Sequence, residues 1–120
     1  MANRNFNRMQ SLNKEVKMIA GRCDETGAKE AGLGFSVSKT GTGQYTIVLE
    51  DSYPVLLSAQ ATVLDPTSGH FSAVVISADP SESSKTIVIE TVKNASPTDL
   101  PANSSLHFAF FLQNSTVPAS

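Results

Sequence analysis

The stretch SKTGTGQYTIVLED, Ser38 to Asp51, holds two glycines beside a lysine, and its two possible readings lead to different proteins. A phosphate-binding loop needs G-x-x-x-x-G-K-[S/T] between a strand and a helix. Here Lys39 precedes Gly41 and Gly43, and no helix pattern follows. Tyr45, Ile47 and Leu49 instead alternate with Gln44, Thr46 and Val48, the two-residue period of a strand with one buried face. A dinucleotide fingerprint fails for the same reason, because it needs a third glycine and a helix N-terminus to receive the pyrophosphate. Gly32-Leu33-Gly34 fails likewise. The glycines therefore turn the chain. Phe35–Ser38 and Gln44–Leu49 become antiparallel neighbours, with Gly41 or Gly43 in a left-handed conformation.

The same signal continues on both sides. Short runs rich in Val, Ile, Thr, Phe and Tyr occupy residues 33–38, 44–49, 56–64, 71–78, 86–92 and 105–112. Ile87 and Ile89 share a parity with Thr91; Phe108, Phe110 and Leu112 share another. Asp65-Pro66-Thr67-Ser68-Gly69 and the polar break from Asp79 to Ser84 read as turns. Pro97 and Pro101 place the connection over residues 95–103 outside a central ladder. The expected fold is all-β: a small antiparallel sandwich or open barrel of about six to eight strands.

The first 22 residues differ. Phe6, Met9, Leu12, Val16 and Ile19 recur at spacings of three and four, while residues 17–23 read equally well as a first strand. An isolated helix of this length is marginal in water. The expectation is an extended or partly helical arm over residues 1–22, a polar linker over 23–32, and a β body over 33–120. The arm carries five basic residues against Glu15, a net charge of +4; the rest has four basic and ten acidic groups, a net of −6. A basic arm with an apolar stripe, lacking tyrosine and tryptophan, points to an acidic protein surface ahead of nucleic acid.

The residues offer little for chemistry. Glu50 and Asp51 are strand neighbours, so their side chains point apart, as solvated charges at a turn do. His70 and His107 have no thiol or carboxylate cluster at ligand spacing. The serines lack an elbow motif or a paired base. Cys23 is followed by Asp24 and Glu25, a setting that does not activate a thiol, so it reads as a small apolar filler. The single cysteine excludes an intrachain disulfide, and the polar start Met1-Ala2-Asn3-Arg4-Asn5 lacks a signal peptide's apolar run. No stretch approaches the roughly 20 apolar residues of a membrane helix. The expectation is a chain made in the cytoplasm, without cofactor, metal, membrane or small-molecule substrate.

The order of features does resemble one group of proteins. The arm NRNFNRMQSLNKEVK, the hairpin TGTGQYTIVL followed by Tyr53-Pro54, and the closing strand LHFAFFLQNST resemble small capsid decoration (cement) proteins of tailed bacteriophages over nearly the whole chain. That resemblance implies a non-enzymatic virion protein on the capsid exterior, often a homotrimer, whose partner is the major capsid protein. Phe6, Arg8, Met9, Leu12, Val16 and Lys17 are then the candidate shell or subunit contacts, and Phe108, Phe110 and Phe111 belong to the core or the trimer seam. The alternative is a fibre or receptor-binding module whose loops at 65–70, 79–84 and 94–104 recognise host glycans. The absence of tryptophan and the presence of only two tyrosines weigh against that alternative.

Overall fold

The structure, a computed structural model, describes residues 16–113. Nine strands make up its regular structure: β1 (Val16–Asp24), β2 (Lys29–Gly32), β3 (Phe35–Gly41), β4 (Gln44–Leu49), β5 (Val55–Leu64), β6 (Ser72–Asp79), β7 (Thr86–Lys93), β8 (Ser96–Pro97) and β9 (Ser105–Gln113). A first sheet has the order β2-β1-β9-β5, and a second has β3-β4-β7-β6 with β8 paired to β7. All pairings are antiparallel. The fold is a β-sandwich. The count exceeds the expected six to eight because β2 and β8 are too short to announce themselves by alternation.

Period two places the core. Tyr45, Ile47 and Leu49 are buried, as are Ile87, Ile89 and Thr91 on the neighbouring strand. From the first sheet, Ile19, Cys23, Leu106, Phe108, Phe110 and Leu112 meet them. Phe35 packs edge-on against Phe108 at 5.2 Å, and Phe108 stacks on Phe110 at 5.3 Å. Its polar tips are paired: the Tyr45 hydroxyl donates to the Glu25 carbonyl at 2.8 Å, and the Thr91 hydroxyl to the Thr98 carbonyl at 2.7 Å.

The N-terminal boundary lies earlier in the chain than the sequence suggests. Residues 23–32, read as a linker, contain the end of β1, a tight turn and β2, whose residues pair with Gly21, Arg22 and Cys23. Within its sheet β1 sits between β2 and β9, and all nine of its residues pair with β9. Polar composition concealed β2, since Lys29 and Glu30 are exposed. What fixes β2 is long-range. Gly21 lies opposite Gly32, and a Cβ on either would collide with the Phe35 ring, so the glycine pair leaves the space that the ring fills. Lys29 then caps that ring, its Nζ 4.6 Å from the centroid and 3.1 Å from the Phe35 carbonyl oxygen.

The hairpin expected from Ser38–Asp51 is present. Phe35 pairs with Leu49, Val37 with Ile47 and Lys39 with Tyr45, and a bulge after Lys39 brings Gly41 opposite Gln44. Of the two glycines Gly43 takes the left-handed conformation, with φ of 67°.

Candidate interaction surface

In an antiparallel sheet directly opposed residues share a face, so the register defines what each sheet shows to the outside. Across β1, β9 and β5 the outer face has five rungs. These are Val16/Gln113/Val55, Met18/Phe111/Ser58, Ala20/Ala109/Gln60, Arg22/His107/Thr62 and Asp24/Ser105/Leu64. The first three are predominantly apolar. Met18 is 52% exposed and Val55 41%, and Ala20 is also exposed. The last two rungs are mainly polar. Arg22 forms an ion pair with Glu30 (3.5 Å), and the Ser105 hydroxyl and His107 Nε2 lie 2.9 Å apart.

At this end of the face an open depression of about 370 Å³ is lined by Arg22, Asp24, Glu25, Glu30 and Leu64 together with Asn103, Ser104 and Ser105. Three carboxylates there face one guanidinium. The Asp24 carboxyl is held below its ordinary pKa, chiefly because the Thr26 hydroxyl and the Ala28 N–H donate to it. The surface is therefore graded, from apolar where β1 begins to acidic where β1 ends. A second depression, about 190 Å³, lies between β5 and β9 and is lined by Gln60, Ala61, Thr62, His107, Phe108 and Ala109.

The outer face of the second sheet lacks this grading. Its rungs mix polar side chains with valine throughout: Ser36/Val48/Thr86/Asp79, then Ser38/Thr46/Val88/Ser77, then Gln44/Glu90/Val74, with Ile76 exposed at the bulge of β6. Such an outer face is the usual outward-facing surface of an antiparallel sheet.

Of the candidate contacts, Phe6, Arg8, Met9 and Leu12 lie outside the described residues. Val16 and Lys17 open β1; Val16 is half-buried in the first outer rung and Lys17 is exposed. The three phenylalanines, which the sequence left undivided between core and seam, separate cleanly. Phe108 and Phe110 lie in the core, whereas Phe111 faces outward beside Met18, half-buried. Met18, Ala20, Ala109 and Val55 were not among the candidates. One signal could have found the first three: β1 and β9 carry apolar residues at both parities, and a strand that is apolar on both faces has two surfaces to cover.

The loops are braced internally. In the turns beginning at Asp24, Asp65 and Asp79, the carboxylate accepts from the backbone N–H and the hydroxyl of the residue two positions on. Asp99 ties the 94–104 connection to the hairpin tip, accepting from Gly43 N at 2.7 Å and from Lys39 Nζ at 2.9 Å. His70 is exposed in the loop after β5. Burial, with Asp24 and Glu30 nearby, pushes the Cys23 thiol up to about 12, so at neutral pH it is an inert apolar side chain. Among the described residues no group of three His, Cys, Asp or Glu is placed to hold a metal ion.

No protein-family model, curated protein or solved structure matches this chain.

Proposed function

We propose that this chain is a non-enzymatic structural protein of a bacteriophage virion. It binds the outer surface of the capsid and stabilises the shell, acting as a homotrimer whose N-terminal arm grips neighbouring subunits. One observation carries this reading. The apolar half of the first sheet's outer face begins at Val16, the residue at which the basic, apolar-striped arm enters the sandwich. Contiguous apolar area of this kind marks interaction surfaces on small proteins. An arm with an apolar stripe of its own at the edge of that area makes an extended adhesive region. The resemblance of the arm, hairpin and closing strand to decoration proteins supplies the partner class, the major capsid protein.

Trimerisation strengthens such binding without new contacts, because each bound arm holds the other two at high effective concentration. The braced turns suit a protein that works outside a cell.

The test is co-sedimentation of the full-length protein with undecorated capsids of the phage that encodes it. The wild type is expected to pellet at a fixed ratio to the shell protein. A variant with Phe6, Met9 and Leu12 all replaced by serine should bind at least tenfold more weakly, and binding by the wild type should weaken as salt screens Arg8 and Lys17. Failure of the wild type to pellet, or wild-type binding by the triple variant, sinks the proposal. Adherence to host-cell glycans with no capsid binding would instead select the fibre reading.

A further inference from the structure

The two sides of the sandwich are finished differently. On one side β2 has four residues, among them the charged Lys29 and Glu30, and Lys29 closes over the Phe35 ring. On the other side, among the described residues, β5 pairs with β9 alone and β6 with β7 alone. Each therefore shows a row of backbone N–H and C=O groups with no strand beside it. These edges are ten and eight residues long and lack the charges that guard an edge: β5 holds no ionisable group, and β6 only Asp79, its last residue. Each has one bulge, but β5 keeps a regular register with β9 from Ser58 to Leu64. The core is also unfinished here. Leu56, Ala59, Ala61 and Val63 of β5 and Ala73 and Val75 of β6 pack against the core yet are only half-buried, whereas Ile47, Ile89 and Phe110 on the central strands are fully buried. Val55, Leu57, Leu64, Val74 and Ile76 add five of the eight large apolar side chains exposed among the described residues.

We infer that this open β5–β6 side is the seam through which copies of the chain assemble, edge strand against edge strand. The inference deepens the proposed function by locating where its copies meet, and it rests on that reading for their number alone. Whatever covers the side must be extended, with an inward face that is apolar and uncharged. The chain's own ends do not qualify. In a strand made from residues 1–15, Arg4, Arg8 and Lys14 share a face with Phe6 and Leu12, and the opposite face sets four asparagines and Glu15 beside Met9. Either face would carry charge into the apolar gap. Seven residues follow Gln113, with Pro118 among them, too few to cross β5 and pair along its ten. A second copy meets the requirement, because it brings β5 and β6 themselves. Those strands are apolar at both parities, and they stand apart by the spacing of the two sheets, as the open edges do. Each bare edge then gains a strand, and the half-buried residues of facing copies cover one another.

The experiment is sedimentation equilibrium of the purified full-length chain with no capsid present. Leu57 and Val74 are 38% and 46% exposed, so a lysine at either position leaves the core filled. The wild type is expected to sediment as an oligomer. Leu57→Lys and Val74→Lys should each dissociate at least about tenfold more readily, since a lysine there finds no charge across the seam to pair with. Leu33→Lys, at the exposed corner between β2 and β3, should assemble as the wild type does. All three are expected to keep the wild-type circular dichroism spectrum. Hydrogen exchange locates the seam: amides of residues 58–64 and of β6 should exchange at least about tenfold faster in Leu57→Lys than in the wild type, with those of β3 unchanged. A wild type that sediments as a monomer overturns the inference. So does wild-type assembly by both β5 and β6 variants, and if those variants also fail to pellet with capsids, the edge belongs to the shell protein. A mass of two copies keeps the seam and removes the homotrimer from the proposed function, whereas capsid binding by a monomer keeps that binding and removes the seam.

Discussion

Gly43 shows what one residue is required to do in this fold. It sits at φ 67°, its N–H donates to Asp99, and its carbonyl oxygen accepts from the Thr91 N–H at 2.7 Å. A Cβ there would lie 2.8 Å from the Thr91 carbonyl oxygen and 2.9 Å from the Thr98 N, both backbone atoms that cannot swing aside. Left-handed backbone costs a non-glycine residue about 1–2 kcal/mol, and overpacking adds about 1–3 kcal/mol. Gly43→Ala is therefore expected to lose about 2–5 kcal/mol in urea unfolding. Gly41→Ala, whose Cβ meets only the side chain of Gln44 at 3.3 Å, should lose under about 1 kcal/mol. Equal losses would refute the assignment of the turn to Gly43. The sequence narrowed the left-handed position to two glycines. It could not choose between them, because the atoms that crowd Gly43 belong to residues 48 and 55 positions away in the chain.

At the scale of the element, β9 carries the sandwich. It pairs with β1 on one side and β5 on the other, and its two faces do different work. Phe110 is fully buried against Phe108, while Phe111, the next residue, faces outward. Phe110→Ala is expected to cost about 3–5 kcal/mol of stability, as large core truncations do. Phe111→Ala should cost under about 1.5 kcal/mol while weakening co-sedimentation with capsids. A loss at position 111 equal to that at 110 would contradict the face assignment. Alternation over residues 105–112 already gave the parity of Phe108 and Phe110, and recurring runs rich in Val, Ile, Thr, Phe and Tyr marked six of the nine strands. β1 was ambiguous because Val16 and Ile19 fit a helical spacing as well as a strand. β2 was invisible because its four residues form a strand only where Gly21 and Phe35 receive them.

The behaviour of the whole molecule in acid follows from its braced connections. Asp24, Asp65, Asp79 and Asp99 all have carboxyls held below their ordinary pKa. The first cause is the Thr26 hydroxyl for Asp24, the Thr67 hydroxyl for Asp65, the Ser81 hydroxyl for Asp79 and Lys39 for Asp99. A carboxyl whose folded pKa lies below its unfolded value of about 3.9 adds stability above that value, and the gain is lost as pH falls through the folded pKa. The urea midpoint is thus expected to stay level from pH 7 to about 5 and to fall below about pH 4. Asp99→Asn, which removes the Lys39 ion pair, should make that fall shallower. A midpoint that rises on acidification would overturn the assignment.

By itself, the sequence determined what depends on neighbours a few residues apart: the hairpin in place of a phosphate loop, the parity of the main strands, the turns at Asp65 and Asp79, and the all-β class. Period two and turn chemistry are local, so they can be read from a single chain. Only the tertiary structure decided which glycine turns, that residues 29–32 pair as a strand, and that Val16, Met18, Ala20, Phe111, Ala109 and Val55 share one outer face. Those outcomes depend on register between segments up to about a hundred residues apart, and shifting the register of a strand by one residue sends its side chains to the opposite side of the sheet.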